Sequence, residues 1–333
     1  MKSGKEVKMK RTLIVCLVGL LVIPGFLLSF TSEASAEDYP SKDIRLIIGG
    51  KPGGGFDTYA RAIGRYMKKY LPEGVNVIVE NRPGAGHKIA ITMVYNSEPD
   101  GYTIGMPMMP GLYFPQMFEE QKYDMTKVTW LVTILKDPRV LAIAPNSKFK
   151  TLKDLQQAES VRVPIVGFSS ETGVILANEE LGIKANYISG HKNSKEAVLA
   201  ALRGDGDAVG FTFGSLRKFF VQKQLIPVAV MGSEKRISAI SEVPTLAELG
   251  HAEMNEILGT YRVLAGPPNL PAERTKYLRD TIWKTLSDPE FVAWSKQAKR
   301  PVEALDGEAT AKALAPVMKG YTKYKDILKK YVK

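Results

Sequence analysis

Cysteine is nearly absent from this chain. The 333 residues contain one, Cys16, and it lies in an apolar run close to the N-terminus. If that run is removed, the remaining protein has no cysteine, which excludes disulfides, thiolate metal sites and a cysteine nucleophile. Histidine is almost as scarce. His87, His191 and His251 are the full set, and no two have metal-ligand spacing on a helix. There is no Gly-x-Ser-x-Gly elbow. The formal net charge of +11 raises the question of nucleic acid. However, the basic residues are scattered among Asp and Glu, and no basic run lies beside a stacking platform, so nucleic acid is not an expected partner. Internal repeats and low-complexity linkers are also missing. No metal and no cofactor is expected.

The first residues read as a secretory leader. Lys8, Lys10 and Arg11 precede an apolar run from Leu13 to Phe30, broken by Pro24 and Gly25, and Ala34-Ser35-Ala36 offers a small-residue cleavage site before Glu37. This order is that of a signal peptide occupying residues 1–36. An uncleaved membrane anchor is the alternative, because the run approaches spanning length. Cys16, preceded by Val15 inside the run, is a poor lipid-attachment site. After cleavage near Ala36, 297 of the 333 residues remain, with 41 basic and 33 acidic side chains and a net charge of +8. That length suggests two domains.

Strand-like and helical patterns then alternate. Ile44–Ile48, Val75–Glu80 and Tyr102–Met106 read as strands, separated by helical runs at Tyr59–Tyr70 and Ile89–Asn96. This βαβαβ order predicts a parallel sheet covered by helices. The pattern restarts after Pro138. Val140–Ala144, Val161–Gly167, Ala208–Phe213 and Pro227–Met231 are strand-like, and Val174–Leu181 and Lys195–Arg203 helical. A helix start is signalled at Thr151-Leu152-Lys153-Asp154. Thr260–Ala265 is a further strand. Beyond it the tail is helical, with a proline-started helix at Pro271–Ser287, and is expected to return to the first lobe. The expectation is an α/β protein of two lobes, 37–139 with 261–333 and 140–260, enclosing a ligand cleft. Open α/β sheets bind ligands beyond the carboxyl ends of their strands.

The stretch with most chemical content is Gly53-Gly54-Gly55-Phe56-Asp57-Thr58, between the first strand and the first helix. Glycines there leave amides unshielded at a helix start, where the first N–H groups lack partners and the dipole favours an anion. No Gly-Lys-Ser/Thr follows and the G-x-G-x-x-G spacing is missing, so neither a nucleotide loop nor a dinucleotide fingerprint is present. Asp57 either caps the helix or bonds a ligand. Gly167-Phe168-Ser169-Ser170-Glu171-Thr172-Gly173 offers hydroxyls and amides before a second helix. Ordinary helix capping is the alternative for each hydroxyl. Asp205 and Asp207 are explained by a turn with Gly204 and Gly206.

Three further segments join the glycine loop: Glu80-Asn81-Arg82-Pro83-Gly84-Ala85-Gly86, Pro99-Asp100-Gly101-Tyr102-Thr103 and Val243-Pro244-Thr245-Leu246-Ala247-Glu248-Leu249-Gly250. Together with Gly53 to Arg61, in the form Gly-Gly-Gly-x-Asp-Thr-x-Ala-Arg, they closely resemble the Bug family, the periplasmic receptors of tripartite tricarboxylate transporters. The resemblance runs from Tyr39 to the C-terminus. It implies a type II periplasmic binding protein that closes on a carboxylate-bearing solute and delivers it to integral membrane transporter subunits, with no cofactor and as a monomer. It also implies ligand contacts from two facing loops, here 49–57 and 167–173, and from His191-Lys192-Asn193-Ser194. The residues singled out are Lys51, Gly53, Gly54, Gly55 and Asp57 in the first lobe, and Ser169, Ser170, Thr172, His191, Lys192 and Asn193 in the second. The departures add two more. Gly49-Gly50 replaces the family's usual Pro-Phe, and Lys51 a small residue. Apolar Leu176 and Phe211 and the run Met106-Pro107-Met108-Met109 stand at commonly polar positions. Met108 and Phe211 are therefore expected to line the cleft and to favour a ligand with an aromatic or branched body over citrate. The alternatives are a solute sensor docking on a signalling receptor and an exported enzyme using the same cleft. The lack of an acid–base constellation weighs against the enzyme.

Overall fold

The computed structural model describes residues 39–331, which form one compact unit. The expected leader and its Ala34-Ser35-Ala36 site lie outside the described residues. The first part of the chain runs β1 (Ile44–Ile48), α1 (Gly55–Met67), β2 (Val77–Asn81), α2 (Lys88–Tyr95), β3 (Thr103–Met106), β4 (Met108–Met109), α3 (Tyr113–Gln116) and β5 (Thr129–Asp137). The second part runs β6 (Arg139–Ile143), α4 (Leu152–Gln157), β7 (Val161–Pro164), α5 (Phe168–Glu180), β8 (Ala185–Ile188), α6 (Ser194–Arg203), β9 (Ala208–Thr212), α7 (Phe213–Val221) and β10 (Ile226–Met231). Then come α8 (Asn255–Leu258), β11 (Thr260–Gly266), α9 (Ala272–Ser287), α10 (Pro289–Gln297), α11 (Gly307–Lys323) and α12 (Lys325–Lys329).

The strands make three sheets. The largest has the order β2-β1-β3-β11-β4, with β5 also paired to β11. β1 is parallel to both β2 and β3, as the βαβαβ pattern predicts. β11 is antiparallel to β3, β4 and β5, so the sheet is mixed. The second sheet is the antiparallel set β10-β6-β9, and β7 and β8 form a parallel pair. Only Pro138 separates β5 from β6, and the chain returns to the large sheet between α8 and β11. Those are the two crossings.

Local chemistry fixes several element starts. Thr151 and Asp154 form a reciprocal capping box on α4. Asn193 caps α6 through the Glu196 amide, and Asp288 caps α10 with Pro289 behind it. α1 turns Tyr59, Ala60, Ile63 and Met67 onto one buried face, against Leu46, Ile104 and Leu264 of the sheet. A second buried cluster continues from Ile47, Ala90 and Met109 into Val163, Val174 and Ile175, so the two parts share a core. The tail divides. α9 and α10 pack on α1, whereas α11 lies on β5 and α8, and α12 reaches α5. There Tyr331 stacks on Phe168 and donates to Glu179. α9 and α10 thus pack on the first part, α11 meets both β5 of the first part and α8, and apolar surface on α5 draws α12 to the second part.

Among the described residues no helix is long and apolar enough to cross a membrane.

Candidate functional site

The loop after β1 is braced from inside. Gly53 adopts φ +79°, a left-handed turn suited to glycine, and Gly54 takes the N-cap position of α1 without a side-chain cap. The Asp57 carboxylate accepts from the Gly53 amide at 2.9 Å and from Asn81 Nδ2 at 2.9 Å, and pairs with Arg61 at 2.9 Å. Asn81 Nδ2 also donates to the Gly50 carbonyl at 2.9 Å. Burial alone would push the Asp57 carboxyl up, but Arg61, the Gly53 amide and Asn81 hold it below the ordinary range. Asp57 thus braces the loop from inside, with its carboxylate engaged by three partners. The Gly54 amide donates to the Lys51 carbonyl at 3.2 Å. Two of the three glycine amides are therefore already bonded, and the first-turn donors of α1 are those of Gly55, Phe56 and Asp57. Lys51 is exposed at the edge of this loop.

Gly49 has a packing reason. A Cβ there would fall 2.6 Å from His87 Cβ, so the space vacated by the expected side chain is filled by His87 of the 84–87 turn. The His87 ring stands edge-on to Phe56 at 5.2 Å. Burial, with Arg262 nearby, pushes its pKa down to about 4, so the ring is neutral at pH 7. His87 Nδ1 is buried with no hydrogen-bond partner among the described residues.

The second expected loop is helical. α5 starts at Phe168 behind Gly167, and Glu171, at φ −111° and ψ 16°, marks a break inside it. Ser170 Oγ donates to the Gly167 carbonyl at 2.9 Å, and Thr172 Oγ1 to the Ser169 carbonyl at 2.9 Å. These hydroxyl protons serve carbonyls of the helix's own first turn, and they do so without capping it, since the N-cap position is Gly167 and carries no side-chain bond. His191 Nδ1 lies 3.0 Å from the Ile165 carbonyl, and the Lys192 amide donates to Glu196 at 2.7 Å. Asn193 Oδ1 caps α6. These three residues therefore build the start of α6. Phe211 and Leu176 are core side chains, the first packed with Val140, Leu216 and Phe219, the second with α5's apolar neighbours. The expectation that Phe211 lines the cleft is corrected: β9 turns it into the sheet's own core.

The structure does bring four of the expected residues together. Met108, Ser169, Ser170 and Thr172 line one small cavity of about 10 Å³, with Arg139 and Thr260, room for about one water. Across it the two parts of the chain nearly touch. A Cβ on Gly111 would lie 2.5 Å from the Ser169 carbonyl oxygen, and one on Gly86 would lie 3.5 Å from Ser169 Cβ. Contacts thus run from the glycine loop through His87 and Gly86 to the start of α5. The glycine triplet and Lys51 do not line this cavity.

Two arginines of the crossing strands escaped sequence reasoning. Arg139 of β6, 5% exposed, is bonded to Glu171, to the Ser170 carbonyl at 2.7 Å and to Thr260 Oγ1 at 3.1 Å. Arg262 of β11 donates from Nη2 to Asp137 Oδ2 at 2.9 Å. The available signal was a lone charge inside an otherwise apolar strand, Thr260-Tyr261-Arg262-Val263-Leu264, because arginine is rarely buried without partners. Asp207 holds Arg162 and Ser147, in keeping with a structural turn. A surface group of Glu180, His251 and Glu253 has ligand atoms within 4.8 Å of one another, and His251 Nδ1 already contacts Glu180 at 3.0 Å. None of the three histidines bonds a hydroxyl among the described residues, so no hydroxyl–histidine pair is assembled. The chemistry on offer is anion and polar-group recognition.

The sequence profile of the tripartite tricarboxylate transporter family receptors matches residues 59–330. Protein BugT of Bordetella pertussis is 27% identical over 315 residues, covering 89% of this chain and 91% of BugT. A TctC solute-binding protein from Polaromonas, determined without ligand, superposes with a TM-score of 0.67 at 26% identity, over 86% of this chain and 98% of that one. A Rhodopseudomonas palustris protein determined with adipate superposes with a TM-score of 0.75 at 18% identity, over 87% of this chain and 98% of that one. That last likeness is one of fold.

Proposed function

This chain belongs to the tripartite tricarboxylate transporter receptor family, a two-domain α/β solute-binding protein, and from that premise we propose how it works. It captures a small organic carboxylate between its two lobes and passes it to the membrane subunits of its transporter. The lobes are 37–139 with 261–333, and 140–260. It acts in the periplasm as a monomer, after cleavage of the leader near Ala36. The observation that carries this reading is the approach of Gly86 and Gly111 to Ser169 at the start of α5. Glycines at these points let two backbones meet, as a closing cleft requires. Lys51, the first-turn amides of α1, and the Ser169 hydroxyl with the first-turn amides of α5 supply donors for a carboxylate. Met108 lines the cavity but Leu176 and Phe211 do not, so a single expected apolar side chain faces it, too little wall to select an aromatic body. The role is binding and delivery rather than turnover.

A thermal-shift series with mono-, di- and tricarboxylates, aliphatic and aromatic, tests it. A solute at a hundred times its dissociation constant adds about 2.7 kcal/mol, and each kcal/mol moves the midpoint of a chain this size by about 2–4 °C. A series in which no carboxylate shifts the midpoint overturns the reading. Mass spectrometry of exported protein should place the mature N-terminus at or near Glu37. An intact leader on membrane-bound protein would overturn the cleavage.

A further inference from the structure

We propose that Arg262 is the specificity-determining cation of the cleft and grips a carboxylate of the captured solute at the start of α1. This rests on the carboxylate reading above and goes further, since it assigns the charge that selects an ionised group over a neutral one.

The first argument is the state of the guanidinium. Its side chain is 3% exposed. A buried charge is costly unless its hydrogen-bonding groups are matched. Arg262 has five N–H donors, and its one ion pair uses Nη2, to Asp137. Nε and Nη1 are buried without a hydrogen-bond partner among the described residues. The second argument is which surfaces are occupied. The guanidinium carbon lies 4.5 Å from the Phe56 ring centre and 5.4 Å from that of Tyr59. Ring stacking covers the face of a guanidinium, while its N–H groups point outward in the plane, where a carboxylate binds.

The third argument is position. A Cβ on Gly55 would lie 3.2 Å from Nη2 and 3.4 Å from Nη1, so the head group sits under the first turn of the 13-residue α1. A helix start carries partial positive charge, and a cation held beside it is repelled unless an anion lies close to both. The acid of this turn, Asp57, is directed to Gly53, Asn81 and Arg61 instead. Asp137 is the acid bonded to this guanidinium among the described residues, and it takes Nη2 alone. His87, kept neutral by burial, adds no charge of either sign. Nε and Nη1 lack an acceptor beside the helix start, and a solute carboxylate at the cleft supplies one.

The test pairs variants with matched probes. Malate, adipate and benzoate are titrated by calorimetry into wild type, Arg262→Gln and Arg262→Lys, alongside the analogues in which one carboxylate is a carboxamide. With the tightest-binding acid, Arg262→Gln should lose at least a hundredfold in affinity. The amide should bind weakly to wild type and lose little more in that variant. Arg262→Lys, which keeps the charge but not the fork, should show an acid-over-amide preference at least tenfold smaller than wild type. The Lys arm keeps the test decisive where the Gln variant does not fold. An acid-over-amide preference that stays at the wild-type ratio in the folded variants overturns the assignment of Arg262 and leaves the carboxylate reading intact. If wild type binds none of these three and no acid of the thermal-shift series, the carboxylate reading falls, and this inference with it; where another acid of that series binds, it replaces them as the probe.

Discussion

Gly111→Ala places one methyl group where the two parts of the chain meet. The added Cβ would lie 2.5 Å from the Ser169 carbonyl oxygen and 2.9 Å from Met108 Cε. The methionine end can swing aside, being flexible, but the carbonyl belongs to the first turn of α5 and cannot. Ordinary contact requires the backbones to part by close to an ångström. Overpacking of this kind costs about 1–3 kcal/mol. If Gly111 and Ser169 approach only when the cleft closes on its solute, the whole cost falls on the bound form, and affinity drops by about 5- to 150-fold at 1.4 kcal/mol per decade. The unliganded protein then melts where wild type does. Calorimetric titration with a carboxylate that binds wild type, beside thermal unfolding without it, separates the possibilities. Unchanged affinity with a lowered melting point would show that the contact belongs to the fold and not to closure. Unchanged affinity and melting point together would show that the two backbones do not meet in the bound protein.

Two further outcomes follow from buried polar groups. His87 has a folded pKa of about 4 against an ordinary 6.5, so between these values the unfolded chain binds the proton and the folded chain does not. Stability is full above pH 6.5 and falls as pH drops toward 4, by about 3 kcal/mol at most; urea unfolding at pH 7 and pH 4.5 should show this fall, and it should be reduced in His87→Phe, whereas an identical fall in both proteins would refute a buried neutral imidazole. Asp57→Ala removes the acceptor for Gly53, Asn81 and Arg61 and should cost about 1–3 kcal/mol in urea unfolding with an unchanged circular dichroism spectrum; a loss of solute binding at full stability would instead return Asp57 to the ligand.

The large sheet was legible in part. Ile44–Ile48 and Tyr102–Met106 are short, largely apolar runs, and the intervening helical pattern placed them in parallel, as observed. β5, the nine-residue strand Thr129–Asp137, was not recognised. It follows a stretch of polar and methionine-rich sequence and carries Lys136 and Asp137 at its end, and its partner β11 lies more than 100 residues away in sequence. Non-local antiparallel pairing leaves no trace in a local period. α5 was placed too late because Ser169, Ser170 and Thr172 have the composition of a loop. Their hydroxyls return to carbonyls of the same turn, which lets such residues occupy a helix start. The tail could not be divided between the parts by pattern alone, since the aromatic group that holds its end, Phe168, Tyr187 and Tyr331, is assembled from three distant segments.

The site shows the same division between local and non-local information. Glycine loops are visible in sequence, and the resemblance located both. Which donors remain available is not visible, because that depends on partners brought from elsewhere. The Gly53 and Gly54 amides are taken by Asp57 and Lys51, and the Ser170 and Thr172 hydroxyls by their own helix. Asn193 and His191 hold the start of α6. What the loops no longer offer must come from other groups if a charged solute is to leave water. The two crossing strands carry the buried arginines. Arg139 is matched by Glu171, Ser170 and Thr260, and so fastens the crossing to α5. Arg262 is matched only in part. Arginine on the two crossing strands therefore takes two states, one with a full set of partners and one whose buried Nε and Nη1 have no acceptor among the described residues. The proposed grip on a solute carboxylate rests on that difference in satisfaction, not on the number of basic residues at the surface.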